Sequence, residues 1–166
     1  IHAARRNIGI TVVCFNNGTY GMTSGQYSPM TPLGKLASTA PYGNIERPFD
    51  LCELARVSGA SYVARGVTYY ARLLSRLVAD AISTDGFAFV EAITQCPTYY
   101  GRRNKMGQAV EMLNWQKEHA VLVQVARKMS HAELEDKFVI GELHRAEAPE
   151  YTREYEKIME AARQAR

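Results

Sequence analysis

The chain predicts an α/β fold in which a parallel sheet carries helices on its flanks. Three observations predict it. Ile10-Thr11-Val12-Val13 is a largely β-branched apolar run, as expected of a buried strand in a parallel sheet. From residue 50 to residue 93, strand-length apolar runs alternate with segments whose apolar residues recur every three or four positions. That strand, helix, strand order belongs to right-handed parallel crossovers. Finally, 166 residues that are 46% hydrophobic are enough to bury one sizeable core.

Taken in order, Ile1 to Asn7 reads as the closing turns of a helix. Arg5 and Arg6 complement the dipole there, and Asn7 can take a left-handed cap. Residues 28–48 hold Pro29, Pro32, Pro41 and Pro48 with Gly34 and Gly43, and read as a long irregular segment. Segments of this kind are functional or disordered; a wrapping excursion over an active site or onto a partner subunit is expected. Asp50 caps a helix from Leu51 to about Ser58, stopped by Gly59, and residues 61–66 form a short strand. Thr68 is expected to cap a helix over 69–83, whose Leu73, Leu74, Leu77, Val78, Ala81 and Ile82 share one stripe. Asp85-Gly86 ends it, and residues 87–93 form the next strand.

Beyond residue 96 the pattern predicts one long helix from Gly107 to Met129, with Val110, Leu113, Trp115, Leu122 and Val125 as its apolar positions. Phe138-Val139-Ile140 reads as a short strand. Pro149 opens a last helix with Tyr151, Tyr155, Ile158, Met159 and Ala162 on one side, a face that needs a surface to lie on. The expected division is an α/β domain over 1–130 and a tail over 131–166, its terminal helix lying on the domain or on a partner subunit.

Composition narrows the function classes. A net charge of +3 with scattered basic residues does not argue for nucleic acid. No signal-peptide pattern occurs, and no apolar run is long enough to span a bilayer. The four histidines share no metal-ligand spacing. Three cysteines with no Cys-x-x-Cys suit a reducing, cytoplasmic compartment. Cys14 and Cys52 read as small core residues. Cys96 sits at a strand's carboxyl end beside Pro97, where burial alone makes it a structural cysteine.

The chemistry concentrates in Asn16-Asn17-Gly18-Thr19-Tyr20-Gly21-Met22-Thr23-Ser24-Gly25-Gln26. Asn-Gly between apolar runs is a type I′ hairpin signal. The glycines and hydroxyls that follow make a poor second strand. The other reading is a phosphate- or metal-binding loop at the carboxyl end of a parallel strand, where open α/β sheets bind ligands.

The run from Asn16 to Pro32, Ala40-Pro41-Tyr42-Gly43-Asn44-Ile45, Arg47-Pro48-Phe49-Asp50 and Gln95-Cys96-Pro97-Thr98-Tyr99-Tyr100-Gly101-Arg102 together resemble the β subunits of 2-oxoacid:ferredoxin oxidoreductases, nearest the 2-oxoglutarate-type branch. The resemblance covers most of the chain and loosens over the last thirty or so residues. It implies thiamine diphosphate held through Mg2+, with the Asn17 side-chain oxygen and the Thr19 carbonyl as ligands and Gly21, Met22, Thr23 and Ser24 lining the cofactor. It also implies that Cys96 is the last thiolate of a four-iron (4Fe-4S) iron–sulfur cluster whose other ligands lie outside this chain.

The implied partners are an α subunit, which supplies the glutamate that activates the cofactor, and ferredoxin. The implied substrates are a 2-oxoacid and coenzyme A; no residue here is expected to be the general base. The family's Gly-Asp-Gly is absent from these 166 residues and is expected upstream of Ile1, making the chain an N-terminally truncated β subunit. Ser24 departs from the 2-oxoglutarate-type loop, which carries glycine there, and leaves a pyruvate or branched-chain 2-oxoacid enzyme as an alternative. A non-catalytic interaction module is the alternative from another class. The basic stretch Arg102-Arg103-Asn104-Lys105 is either a solvated helix start or a patch for an anionic partner such as coenzyme A.

Overall fold

A computed structural model describes residues 1–165. The elements run α1 (His2–Arg5), β1 (Thr11–Asn16), α2 (Leu51–Val57), β2 (Tyr62–Val67), α3 (Ala71–Ile82), β3 (Ala88–Ile93), α4 (Ala109–His119), β4 (Ala120–Leu122), α5 (Val123–Ala126), β5 (Phe138–Arg145) and α6 (Tyr151–Gln164). A 3-10 turn occupies Thr68–Tyr70 and a π-helical turn Pro97–Gly101.

The five strands form one sheet in the order β1-β3-β2-β5-β4. β1, β3 and β2 are mutually parallel, as the alternating pattern predicted. β5 departs from that expectation: it runs antiparallel to β2, with a bulge between Val63 and Ala64, while β4 is parallel to β5. The sheet is therefore mixed, with α/β crossovers in its first half and a returning strand from residues 138–145 on the far side of β2.

Alternation along β2 and β3 sends side chains to two helix layers. Val63, Phe87 and Phe89 meet Cys52 and Ala55 of α2. Tyr62, Ala64, Ala88 and Val90 meet Leu77 and Ala81 of α3. Asn7, left-handed at φ 50°, ties these layers together. Its Oδ1 accepts from Ser61 Oγ and Phe87 N, both at 2.8 Å, and its Nδ2 donates to the carbonyls of Ala148 (3.0 Å) and Pro149 (3.1 Å).

Asp50 caps α2 as expected, accepting from Glu53 N at 3.0 Å. Four expectations fail. Thr68 does not cap α3, because its hydroxyl lies 2.9 Å from Gln95 Oε1 and 3.1 Å from Gln116 Oε1 and serves those amides instead. The long helix over 107–129 breaks at Ala120, where Ala120-Val121-Leu122 pairs with Phe138–Ile140, and a short helix resumes at Val123. The strand expected at Phe138–Ile140 runs on to Arg145. β1 is an edge strand among the described residues, so it is half-buried and leaves Phe15 exposed rather than running inside the sheet.

The 28–48 segment contains no helix or named strand, but it is held by side chains. Thr31 Oγ1, fully buried, donates to Gly18 O at 2.7 Å. Asn44 Nδ2 donates to the carbonyls of Thr31 and Glu46. Asn104 clamps Leu36, accepting from its N–H at 2.8 Å and donating to its carbonyl at 3.0 Å. Among the described residues no helix is long and apolar enough to cross a membrane.

Candidate cofactor site

β1 runs through Asn16, and the two asparagines at its carboxyl end turn the chain. Asn16 Oδ1 accepts from Gly18 N at 3.0 Å and Asn17 Oδ1 accepts from Thr19 N at 3.1 Å, two successive side-chain turns. Gly18 has φ +72°, a conformation that favours glycine, and a Cβ there would press on the Tyr100 ring at 3.2 Å. No hairpin follows. The chain instead folds back in a short loop, with Tyr20 N donating to Gln26 O and Gly25 N donating to Tyr20 O, each at 2.9 Å. Buried Thr19 locks the neck of this loop by donating from Oγ1 to Gln26 O at 2.6 Å.

Around the loop the predicted site residues take separate positions. Thr23 Oγ1 donates to Gln26 Oε1 at 2.8 Å. Met22 is 99% exposed, an apolar side chain on the tip. Ser24 is in the left-handed region at φ +87°, a position that favours glycine. Gly25 follows at φ +81°, and a Cβ on it would stand 2.8 Å from Tyr99 Cβ.

Gly21 brings the two halves of the predicted site together. A Cβ built on it would lie 3.4 Å from Asn17 Nδ2 and 3.4 Å from Cys96 Sγ. Cys96, 9% exposed, ends the segment after β3 and is walled by Tyr100 and Met112. Burial pushes the Tyr100 phenol up to about 12. Beside the asparagines a cavity of about 100 Å³ opens between Asn16, Asn17, Gly18, Tyr100, Trp115 and Gln116.

The donor set suits a hard cation shared with a diphosphate. Asn17 Oδ1 has a second lone pair beyond the Thr19 N–H, and among the described residues no hydrogen-bond donor reaches the Thr19 carbonyl. Both oxygens are neutral. Among the described residues no group of three or more His, Cys, Asp and Glu side chains could hold a metal. Cys96 can therefore provide one thiolate and no more.

Sequence reasoning missed a charged network directly behind these asparagines. Glu91, 3% exposed in the centre of β3, accepts from Asn16 Nδ2 at 2.7 Å and pairs with Arg65 Nε at 2.6 Å. Arg65 Nη2 also reaches Asp50 at 2.7 Å. The Cys52 thiol lies 3.6 Å from Glu91, and burial pushes its pKa far above the usual thiol range, so it is inert. The signal was a lone acid within Ala88-Phe89-Val90-Glu91-Ala92-Ile93 and a lone base within Tyr62-Val63-Ala64-Arg65, since buried charges occur in pairs.

Residues 1–92 match the family described as thiamine pyrophosphate enzyme, C-terminal TPP binding domain. The chain is 48% identical over 160 residues to the 2-oxoglutarate synthase subunit KorB of Methanocaldococcus jannaschii, covering 96% of this chain and 59% of that one. It is 49% identical over 150 residues to the subunit of that name from Methanothermobacter marburgensis, covering 90% of this chain and 53% of the relative. This chain thus spans between half and three-fifths of the length of these relatives. A solved structure of the 2-oxoglutarate:ferredoxin oxidoreductase from Magnetococcus marinus, with 2-oxoglutarate, coenzyme A and succinyl-CoA bound, matches with TM-score 0.81 and 28% identity, covering 97% of this chain and 55% of that one. The chain belongs to the thiamine pyrophosphate enzymes, as their C-terminal TPP-binding domain, and is a relative of the KorB-type subunits of 2-oxoglutarate:ferredoxin oxidoreductases.

Proposed function

We propose that this chain is the cofactor-holding part of the β subunit of a 2-oxoacid:ferredoxin oxidoreductase. The reaction is coenzyme A-dependent oxidative decarboxylation of 2-oxoglutarate: carbon dioxide leaves, the acyl group passes to coenzyme A, and two electrons pass to ferredoxin. The observation that carries the reading is the convergence of Asn17, Gly21 and Cys96 at the carboxyl end of β1.

Asn17 Oδ1 and the Thr19 carbonyl would hold Mg2+ against the diphosphate, as hard oxygens suit that ion. Thiamine diphosphate supplies the electron sink for the carbanion left by decarboxylation. Gly21 lets the loop approach closely, and Thr23 braces it through Gln26. Met22 and Ser24, on the exposed side of the loop, face the substrate and bias which 2-oxoacid is used. Cys96 serves as one thiolate of a 4Fe-4S cluster whose other ligands lie outside these residues.

Exposed apolar side chains support an α-subunit partner. Met22, Tyr42, Ile45 and Phe49 lie open around the loop and the 28–48 segment, and Tyr155 and Ile158 lie open along α6. In this reading residues 1–130 form the cofactor domain, and the 131–166 tail presents α6 to that subunit. Exposed Arg102, Arg103 and Lys105 suit the phosphates of coenzyme A. The complex is cytoplasmic and uses neither membrane nor nucleic acid.

The test is ferredoxin reduction by the full-length gene product purified with its α subunit. Reduction that needs coenzyme A and is faster with 2-oxoglutarate than with pyruvate supports the reading. Preference for pyruvate overturns the substrate, and no reduction with any 2-oxoacid overturns the enzyme in favour of an interaction module.

A further inference from the structure

The geometry assigns Glu91 a positioning role: we infer that it sets the metal-binding turn at Asn17 through Asn16. The inference rests on the proposed Mg2+–diphosphate site. Glu91 is a charged side chain in the middle of a buried strand, and a buried ion pair adds little net stability compared with apolar side chains of similar volume. What this carboxylate does beyond its pairing with Arg65 is orient an amide. Asn16 Nδ2 donates to Glu91 Oε1 at 2.7 Å, which forbids the flipped amide and aims Oδ1 at the N–H of Gly18. That bond holds Gly18 at φ +72°, and the next residue's N–H, on Thr19, fixes the Asn17 side chain.

The opposite end of the network is equally fixed. Arg65 holds the other Glu91 oxygen at 2.6 Å and is itself held by Asp50, the cap of α2. Glu91 therefore has one oxygen engaged by Arg65 and the other by Asn16. Groups that orient a metal ligand through a hydrogen bond are worth roughly 10- to 100-fold in metal affinity.

The experiment is Mg2+ titration of the full-length protein in its complex with the α subunit, at saturating thiamine diphosphate, followed by calorimetry. The melting temperature without cofactor is measured alongside. Asn16→Ala is expected to weaken Mg2+ by roughly 10- to 100-fold, with the cofactor-free melting temperature within a few degrees of the parent. Glu91→Gln leaves one acceptor oxygen for two donors, Asn16 Nδ2 and Arg65 Nε, and is expected to weaken Mg2+ in the same direction as Asn16→Ala. Unchanged Mg2+ affinity in Asn16→Ala overturns the assignment and leaves the proposed function standing. So does a loss that merely follows the cofactor-free melting temperature across both variants, which would make the network structural. A parent complex with no Mg2+-dependent cofactor binding overturns the proposed function and this inference together.

Discussion

Cys96 faces Gly21 across the mouth of the loop: its Sγ lies 3.4 Å from where a Cβ on residue 21 would stand. Asn17 Nδ2 stands at the same distance on that glycine. A candidate metal ligand and a candidate cluster thiolate, 79 residues apart in the chain, thus share one glycine as neighbour.

Cys96 and Cys14 should separate when each is replaced by serine in the full-length protein. Cys14 is half-buried within β1, and burial raises its thiol pKa, with Glu91 adding to the rise. Its side chain packs against the core around Cys52, Ala55 and Val63. Cys96→Ser should lose iron and the cluster absorbance, while Cys14→Ser keeps both. Equal iron in the two variants would return Cys96 to a purely structural role.

The backbone at residues 24 and 25 predicts opposite stability changes. Ser24 at φ +87° bears a left-handed cost that glycine avoids. Ser24→Gly should stabilise by about 1 kcal/mol, allowing for the entropy that glycine gains when unfolded. In a domain of this size that raises Tm by about 2–4 °C. Gly25→Ala should cost about 2 kcal/mol or more, since it adds a Cβ 2.8 Å from Tyr99 Cβ at positive φ. Thermal melts of both variants test the pair; a lower Tm for Ser24→Gly would contradict the strain.

Alkaline unfolding should report Tyr100. An unfolded tyrosine ionises near pH 10, whereas burial pushes folded Tyr100 up to about 12. The raised folded pKa means that its contribution is intact below pH 10. Above pH 10 the unfolded chain sheds a proton that the folded chain keeps, so this stability is lost as pH rises towards 12. Tyr62, pushed up to about 12 by burial and by Asp80 and Glu142, adds to the same fall. Urea midpoints between about pH 9 and pH 12 should fall less steeply in Tyr100→Phe than in the parent. Parallel curves would place the Tyr100 hydroxyl in water.

Legibility in the sequence followed the range of the interactions. α2, β2 and β3 fell within a residue or so of expectation because Asp50, Gly59 and the apolar runs are local signals. Asn7 as a left-handed cap was legible for the same reason. The break at Ala120 was not, because Leu113, Trp115, Leu122 and Val125 also suit a helix, and only pairing with Phe138–Ile140 decides for a strand. Thr68 is diverted by Gln116, a partner 48 positions away. In the loop, the departure at Ser24 marked a position where glycine is usual, and its φ of +87° is one that favours glycine. The proximity of Asn17 to Cys96, and the support of Asn16 by Glu91, depend on the register between β1 and β3.

Asn17 is proposed to hold the metal that binds the cofactor diphosphate. The most direct measurement is Mg2+-dependent thiamine diphosphate binding by the full-length protein, comparing the parent with Asn17→Ala by calorimetry. Tight, Mg2+-dependent binding is expected in the parent, with a loss of roughly 100-fold or more in Asn17→Ala, more than losing an orienting partner costs. Asn17→Ala that binds cofactor and Mg2+ as tightly as the parent would contradict it.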